Sequence, residues 1–321
     1  MNLMEYKAQK PFAQKHLLCL QEYTADEILQ LLSLAARLKA ERRAGIPHPL
    51  LAGKNLAMIF AKPSARTRVS FETGIEQLGG HGLYISAGEI GLGERESVHD
   101  VANVFSRFVD GIMIRTFRQS DVEGLAQYGS VPVINGLTDD YHPCQALADM
   151  LTLYEVFGDV RGKKLVFVGD GNNVAHSLMI IGSKLGLEVT VACPEGYEPA
   201  QRVMDWAAAN NAVSGGSFRI EHDPLRAVQG AHAIYTDVWA SMGQEDEAAK
   251  RERDFAGFQV NGAMMAAALP EAVFLHCLPA HRGLEVHAEV IDGPQSRVFD
   301  EAENRLHAQK AVMVMLMGGT K

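Results

Sequence analysis

A short segment that carries two hydroxyl groups and two guanidinium groups, KPSARTR at positions 62–68, could hold an anion. It lies between an apolar run and a helical pattern, and such a strand-to-helix turn exposes backbone N–H groups and the positive end of the helix dipole. Ser64, Arg66 and Thr67 would add side-chain donors that suit a phosphate. Taken alone, the segment fits a phosphate site and an ordinary Ser-capped helix equally well. Arg68 cannot share the helical face of Arg66, so we expect a structural role for it.

The sequence HPCQ at 142–145 could bind the same ligand. A proline at the first helical position would place His142 and Gln145 on one face of the first turn. An imidazole N–H can polarise a carbonyl oxygen and a carboxamide can bind an NH2 group, although the motif by itself favours a simple helix cap. Arg115 follows an apolar run, at the sheet edge where ligands bind. A solvated surface position is the alternative for Arg115, and a surface ion pair is the alternative for Arg305.

Residues that could bind a carboxylate or an amine follow apolar runs in the second half of the chain. The sequence GDGNNV at 169–174 resembles a dinucleotide-binding turn, but Val174 replaces the third glycine and no acidic residue follows the next apolar run, which ends at Ala192. We therefore expect no nicotinamide cofactor. Asn173 is then available for a substrate, with helix capping as the alternative. Asp237 could anchor an ammonium group or cap a helix.

Two further segments complete this group of polar residues. The loop after Asp237 contains Ser241 and Met242, although a methionine usually packs in a core. Cys277, in the sequence HCLPAHRG at 276–283, is the only one of the four cysteines beside a polar cluster. A buried free cysteine is normally inert, and this is the alternative to a functional Cys277. The two histidines and the cysteine of this segment do not converge from a strand and turn, which predicts no metal site.

Short apolar runs alternate with helical patterns in both halves of the chain, which predicts parallel sheets. Such sheets would bring these residues together at the ends of the strands. In the first half, the patterns predict a helix opened by a capping box at Thr24 and Glu27, strands at 55–60, 82–85, 111–114 and 131–134, and helices at 67–78, 98–108 and 122–128. In the second half, they predict strands at 164–168, 188–192, 218–221, 233–236 and 273–276. Residues 142–157 are predicted to form a helix joining the halves, and residues 302–317 a terminal helix.

Length and composition limit the class of protein to which the chain can belong. The 321 residues, 47% of them hydrophobic, predict an α/β protein of two domains, each a mainly parallel sheet flanked by helices, with interdomain helices. We place the domains at 1–150 and 151–300, with residues 301–321 as a terminal helix packing back on the first domain. The net charge of −9 argues against a nucleic-acid partner. No apolar run reaches membrane-spanning length, so we expect no membrane partner. No secretory signal is evident and the cysteines are widely spaced, so we expect a cytoplasmic protein.

The order and spacing of these motifs resemble one family. The sequence SARTR at 64–68 is similar to the S-T-R-T-R motif of the aspartate/ornithine carbamoyltransferases, and HPCQ matches their H-P-x-Q. The pattern from Asp237 to Gly243 and the sequence HCLP at 276–279 resemble the ornithine branch. The resemblance covers nearly the whole chain.

The resemblance implies a carbamoyltransferase that acts on carbamoyl phosphate and L-ornithine. It implies that carbamoyl phosphate is bound by Ser64, Ala65 through its backbone, Arg66, Thr67, Arg115, His142, Gln145, Cys277, Leu278 and Arg305, with Cys277 and Leu278 also beside the reacting amine. It implies that ornithine is bound by Asn173, Asp237, Ser241 and Met242. The catalytic groups would be Arg66, Arg115, His142, Asp237 and Cys277. No cofactor is expected, and the family implies a homotrimer, or a multiple of trimers, with active sites at subunit interfaces.

Three positions depart from the family pattern. Ala61 stands where many relatives have Glu, and Ala65 replaces a Thr whose contribution through the backbone survives the change. Gly91 stands where relatives often place a Gln that is donated to the neighbouring subunit. The acceptor amine remains open to putrescine or an acylated ornithine, because small loop changes alter such a pocket. An NAD-dependent oxidoreductase and a non-catalytic binding protein are the alternatives from other classes.

Overall fold

The computed structural model describes residues 1–93 and 95–318 of the chain, which divides into two compact units. The first unit comprises Met1–Gly158 and the segment from Glu303 onward, and the second comprises Asp159–Ala302. The boundaries predicted from the sequence lie at 150/151 and 300/301. Residues 319–321, which end the predicted terminal segment, lie outside the described residues.

The first unit is built on a parallel sheet with the strand order β2-β1-β3-β4. Its strands are β1 (Asn55–Phe60), β2 (His81–Ser86), β3 (Gly111–Arg115) and β4 (Val133–Leu137). Its helices are α1 (Ala25–Arg43), α2 (Ala65–Gln77), α3 (Ala87–Ile90), α4 (Val98–Phe105), α5 (Gln119–Tyr128) and α6 (Pro143–Phe157), with 3-10 helices at Leu3–Glu5 and Leu20–Glu22. Strands β1, β3 and β4 are buried over almost their whole length, as is typical of parallel strands covered on both faces.

The second unit contains a parallel sheet with the order β7-β6-β5-β8-β9. Its strands are β5 (Lys164–Val168), β6 (Glu188–Ala192), β7 (Ser217–Glu221), β8 (Ala233–Thr236) and β9 (Val273–His276). Its helices are α7 (Asn173–Leu185), α8 (Gln201–Ser214), α9 (Pro224–Ala227), α10 (Ala248–Asp254), α11 (Gly262–Ala267) and α12 (Ala288–Ile291), with a 3-10 helix at Glu245–Glu247. The last helix, α13 (Val298–Met317), has residues 298–302 in this unit and residues 303–317 in the first. The predicted α/β class with two parallel sheets is confirmed.

Several predicted elements have other bounds in the structure, and two of these differences involve buried polar residues. The strand expected at 131–134 is β4, and it continues through Asn135 because the buried Asn135 amide donates to the Leu18 carbonyl at 2.9 Å and to Gln119 Oε1 at 3.2 Å. The terminal helix expected from residue 302 begins at Val298. This additional turn contains the buried Glu301, whose carboxylate accepts from Tyr235 Oη at 3.0 Å.

The order of the strands decides where ligands can bind. In the first sheet, β2 and β3 lie on opposite sides of β1, so the strand order reverses between β1 and β3. In the second sheet, β6 and β8 lie on opposite sides of β5, so the order reverses between β5 and β8. Crevices at the carboxyl ends of strands form at such reversals. The register pairs Phe60 with Arg115 at the first crevice and Val168 with Thr236 at the second. No helix among the described residues is both long and apolar enough to cross a membrane.

Candidate active site

The predicted anion-binding segment lies at the start of α2, above the crevice of the first sheet. Ser64 is the N-cap residue, and its Oγ accepts a hydrogen bond from the Thr67 N–H at 3.2 Å. No acidic residue occupies the first turn, which also contains Ala65 and Arg66, so the positive end of the helix is not neutralised locally. Ser64 therefore caps the helix, as the simpler interpretation predicts, at a place that also suits an anion.

Three arginines from separate elements of this unit act electrostatically on one buried histidine. His142 is buried at the N-cap position of α6, where its side chain makes no capping hydrogen bond. Burial and the positive charges of Arg305, Arg115 and Arg66 hold the pKa of His142 well below its usual value of 6.5. The imidazole is therefore neutral at physiological pH, and one of its ring nitrogens carries a proton. The sequence prediction that favoured a simple helix cap here is wrong for the side chain.

Arg305 is buried, so the alternative of a surface ion pair is wrong. Its Nη1 donates to Gln145 Oε1 at 2.7 Å, and its Nη2 donates to Thr67 Oγ1 at 3.3 Å. Gln145 in turn donates from Nε2 to Oδ1 of the fully buried Asp149 at 2.8 Å. One chain of hydrogen bonds thus joins α2, α6 and α13.

Asp149 and Lys62 are polar residues of this site to which the sequence analysis assigned no role. Asp149 lies four positions after Gln145 on the same helix, and this spacing was the available signal. Lys62 is buried, donates to Asp139 Oδ1 at 2.5 Å and lies 4.3 Å from the centre of the Phe117 ring. The position of Lys62 between the apolar run at 55–60 and Ser64 was the only indication in the sequence that it could belong to this site.

Arg115 and Arg68 differ in the exposure of their side chains. Arg115 is buried, so a solvated position is excluded, and its carbonyl accepts from the Ala61 N–H at 2.8 Å. Arg68 is exposed, pairs with Glu72 at 3.2 Å and lies 3.9 Å from the centre of the Tyr84 ring. These contacts agree with the structural role predicted for Arg68.

Asp237 is the centre of the polar group in the second unit. Its Oδ1 accepts from Cys277 Sγ at 3.0 Å and from the Val238 N–H at 2.8 Å, and its Oδ2 accepts from Asn172 Nδ2 at 2.9 Å. No described helix begins at Asp237, so the alternative of a helix cap is wrong. A carboxylate that accepts several hydrogen bonds suits an ammonium partner.

Asn172, and not Asn173, caps the helix that follows the turn. Asn172 is the N-cap of α7, and its Oδ1 accepts from the N–H groups of Val174 at 2.9 Å and Ala175 at 3.2 Å. Asn173 is the first helical residue and is half-buried. Asn172 was not predicted from the sequence, where the Asn-Asn pair at the helix start was the only indication of its role.

The loop after Asp237 carries the other predicted amine ligands. The Ser241 N–H donates to Gln244 Oε1 at 3.1 Å, and the Gln244 N–H donates to the Ser241 carbonyl at 2.9 Å. Met242 is 43% exposed, so the alternative of core packing is wrong.

The turn that carries Cys277 and Leu278 is held by a buried histidine. His276 Nδ1 accepts from the Leu278 N–H at 2.9 Å, so Nε2 bears the proton and donates to Glu285 Oε1 at 3.2 Å. Leu278 has a φ of 58°, a left-handed conformation that non-glycine residues rarely adopt. The hydrogen bond from its N–H therefore holds an unfavourable backbone conformation in place. Glu285 was not identified from the sequence.

Asp237, His276 and Cys277 each place one potential ligand atom within 4.8 Å of the others. Both ring nitrogens of His276 already make the hydrogen bonds described above, so a metal ion would have to displace one of them. His281, which the sequence places near these residues, has a side chain that is 58% exposed. The donor set therefore fits a hydrogen-bonded thiol and carboxylate better than a preformed metal site.

In the glycine-rich turn of this unit, Gly171 packs against the chain's own backbone. A Cβ atom at Gly171 would lie 2.3 Å from the backbone nitrogen of Pro199 and 2.5 Å from the carbonyl carbon of Glu198. The absence of a side chain at Gly171 therefore accommodates the chain's own backbone, whereas a glycine in a dinucleotide-binding turn makes room for a pyrophosphate. This contact argues against the NAD-dependent alternative.

Comparisons with known proteins match both units. Residues 15–155 match the family model of the aspartate/ornithine carbamoyltransferase carbamoyl-P binding domain, and residues 161–316 match that of the Asp/Orn binding domain. The chain belongs to the aspartate/ornithine carbamoyltransferase family. The family resemblance predicted from the motifs is confirmed.

Within the carbamoyltransferase family, the chain is similar to members named for ornithine. It is 59% identical over 307 residues to the ornithine carbamoyltransferase of Pyrococcus abyssi, covering 96% of this chain and 97% of that one. The solved ornithine carbamoyltransferase of Pyrococcus furiosus has a TM-score of 0.95 at 58% identity, covering 97% and 100% of the two chains. A solved N-acetyl-L-ornithine transcarbamylase has a TM-score of 0.86 at 37% identity, covering 94% and 100%.

Proposed function

We propose that this carbamoyltransferase transfers the carbamoyl group of carbamoyl phosphate to the δ-amine of L-ornithine, giving L-citrulline and phosphate. The observation that carries the proposal is the combined positive charge of Arg66, Arg115 and Arg305 acting on a neutral, buried His142. Together these residues offer charge for a phosphate and a hydrogen-bond donor for a carbonyl oxygen. The similarity to relatives named ornithine carbamoyltransferase supports the choice of amine.

Carbamoyl phosphate would be held through both of its polar ends. The N–H groups at the start of α2, including that of Ala65, and the hydroxyl of Ser64 would bind the phosphate together with Arg66 and Arg115. His142 and Thr67 would donate to the carbonyl oxygen. Gln145 would accept from the carbamoyl NH2 group through the second lone pair of its Oε1, since the first faces Arg305.

The reaction needs no covalent enzyme intermediate. The lone pair of the neutral δ-amine attacks the carbamoyl carbon, and His142, Thr67 and the arginines stabilise the tetrahedral oxyanion. The bond from carbon to the phosphate oxygen then breaks, and the proton lost by the attacking nitrogen ends on the departing phosphate. The guanidinium groups favour this step because the leaving group gains negative charge.

Ornithine would be bound by Asn173, Asp237, Ser241 and Met242. Asp237 would bind an ammonium group, because its carboxylate is held in place by hydrogen bonds from Cys277, Asn172 and the Val238 N–H. Cys277 and Leu278 would lie beside the reacting amine.

Acylated ornithine and putrescine are the competing acceptors. Acylation removes the positive charge of the α-amine and leaves Asp237 without a cationic partner, and putrescine lacks the carboxylate that Asn173 would bind. The geometry around Asp237 therefore favours free ornithine over either competitor.

A colorimetric ureido-product assay with carbamoyl phosphate and each amine tests the proposal. We expect product with L-ornithine at a kcat/KM at least about 10²-fold above that with putrescine or N-acetylornithine, a discrimination typical of sites that leave buried polar groups unpaired with the wrong substrate. A higher kcat/KM with either competitor would overturn the proposed acceptor. Absence of product with all three amines would overturn the proposed function.

The assembly and the cellular location stay predictions made from the family resemblance and the sequence. We propose a homotrimer or a multiple of trimers in the cytoplasm. Gly91 has a φ of 55° and carries no side chain, so it cannot supply the donor that relatives place there. Light scattering on the purified protein tests the assembly, and a mass that is not a multiple of three subunits would contradict it.

A further inference from the structure

Arg251, on α10, is a buried arginine of the second unit that contacts several separate segments. Its Nη1 donates to Asp170 Oδ2 at 2.6 Å and to the Trp239 carbonyl at 3.0 Å. Its Nε donates to Glu247 Oε2 at 2.9 Å, and the guanidinium carbon lies 5.3 Å from the centre of the Tyr197 ring. An arginine that makes several directed bonds in a buried place fixes the relative positions of its partners.

Two of these partners belong to the segments that form the proposed amine site. Asp170 lies in the turn after β5, two positions before Asn172, which donates to Asp237. Trp239 lies midway between Asp237 and Ser241, so a bond to its carbonyl holds the loop on which the proposed amine ligands lie. Arg251 therefore joins the turn after β5 and the loop after β8 at one guanidinium group.

The same guanidinium balances charge near Asp237. Burial raises the pKa of Asp170, the hydrogen bond and charge of Arg251 lower it, and the negative charges of Asp237 and Glu247 raise it again. Without Arg251, Asp170 would be a second, uncompensated carboxylate close to Asp237. It would then either bind a proton or compete with Asp237 for the cation of the substrate.

We propose that Arg251 is a positioning residue for the amine substrate, which holds the loop from Asp237 to Gln244 in place and neutralises Asp170. The inference rests on the proposed function, because that proposal assigns Asp237 and Ser241 to ornithine. Arg251 acts through these residues and is not assigned a contact with substrate.

Steady-state kinetics of the full-length protein test this role with Arg251→Met, which keeps much of the side chain's volume and removes its charge and hydrogen bonds. We expect kcat/KM for ornithine to fall on the order of 10²-fold, the cost of a small misplacement of binding groups. The KM for carbamoyl phosphate should stay within about twofold, because the charged groups assigned to its phosphate, Arg66, Arg115 and Arg305, belong to the first unit. Arg251→Lys, which keeps the charge but not the planar fork, should recover part of the loss.

Two further variants separate positioning from general stability. Arg253→Met, at an exposed position of the same helix, is the matched control and should keep wild-type kinetics. The double variant Asp170→Asn/Arg251→Met removes the uncompensated carboxylate, so we expect it to regain at least about tenfold in kcat/KM for ornithine by removing part of the charge imbalance. A merely structural role of Arg251 predicts no such recovery.

The outcomes distinguish this inference from the proposed function. If the wild-type protein forms no citrulline, the proposed function fails, and the inference fails with it. If the wild-type protein is active and Arg251→Met retains its kcat/KM for ornithine, or raises the KM of both substrates equally, the positioning role alone is overturned. If Arg251→Met does not accumulate as folded protein, Arg251→Lys decides, and a wild-type KM for ornithine in that variant overturns the role.

Discussion

Arg305 donates from Nη1 to Oε1 of Gln145 at 2.7 Å, although 160 positions separate the two residues in the chain. The bond turns the oxygen of the Gln145 carboxamide toward α13 and its nitrogen toward Asp149. It also places a guanidinium group from α13 beside the first turn of α6, where His142 is buried. The proposed carbamoyl phosphate site therefore depends on the C-terminal helix as much as on the motif at 64–68.

Replacing Arg66 by Ala should lower kcat/KM for carbamoyl phosphate on the order of 10²–10³-fold, because the change removes a charge that would stabilise the departing phosphate. Arg68→Ala is the matched control, since Arg68 is exposed and pairs with Glu72. We expect near wild-type kinetics for that control. Initial rates at varied carbamoyl phosphate measure both variants, and a wild-type kcat/KM in Arg66→Ala would remove Arg66 from the mechanism.

Asp149→Ala should weaken the binding of carbamoyl phosphate without changing the KM for ornithine. The substitution leaves the Gln145 amide N–H without its acceptor in a buried place, which costs ~1–3 kcal/mol, or roughly 5- to 150-fold in affinity if the cost falls on the bound state. Asp149→Asn keeps a carbonyl acceptor and should recover most of the affinity. Equal loss in both variants would show that the charge of Asp149, and not the orientation of Gln145, is what matters.

The stability of the protein should fall below pH 6.5 partly because of His142. Its pKa in the folded protein is well below the value of 6.5 that applies when it is exposed, since burial and three arginines disfavour the imidazolium form. The unfolded chain therefore binds the proton first as the pH falls, and the contribution of neutral His142 is present above pH 6.5 and lost below it.

Urea unfolding of the wild type and His142→Gln at pH 5.0 and pH 7.5 measures this effect. The wild type should lose more free energy of unfolding between the two pH values than the variant does. Comparing the two proteins cancels the contributions of other histidines, such as the half-buried His16 and the buried His307, whose pKa is lowered to about 4 by partial or full burial. An identical pH dependence in both proteins would contradict a lowered pKa for His142.

Cys277→Ala should raise the KM for ornithine by roughly 2- to 10-fold, because Asp237 loses a hydrogen bond of ~0.5–1.5 kcal/mol from the weak S–H donor. Cys277→Ser preserves a donor at this position and should bind ornithine nearly as well as the wild type. The pH profile of kcat then reports whether the thiol has a further role in removing the proton from the amine. If Cys277→Ala leaves the KM, kcat and pH profile unchanged, Cys277 has no part in the mechanism.

Several features could be predicted because they depend on neighbouring residues in the chain. The capping box at Thr24 and Glu27 is present, with the Thr24 N–H donating to Glu27 at 2.9 Å. Most strands were located from apolar runs, since a buried parallel strand has little choice but to be apolar throughout. The switch from a strand to the helix opened by Ser64 was also visible, because both patterns are local.

Other features could not be predicted, because their partners are distant in the sequence. The continuation of β4 through Asn135 depends on acceptors at Leu18 and Gln119. Asp149, Arg251 and Glu285 cannot be told from solvated charged residues by the sequence. Only their burial beside specific partners in the structure distinguishes them. Asn172 and Asn173 are chemically identical, and the geometry of the turn decides which of them caps α7.

The sequence by itself determined the α/β class, the family and the types of group available for an anion and an amine, because apolar periodicity and motif spacing are properties of the chain alone. Only the tertiary structure decided which of those groups meet. The order of parallel strands reverses between β1 and β3 and between β5 and β8, and these reversals bring the ends of distant strands to common crevices. Burial then lowered the pKa of His142 and oriented Gln145 and Asp237, since a charge or hydrogen bond acquires its strength from surroundings that packing supplies.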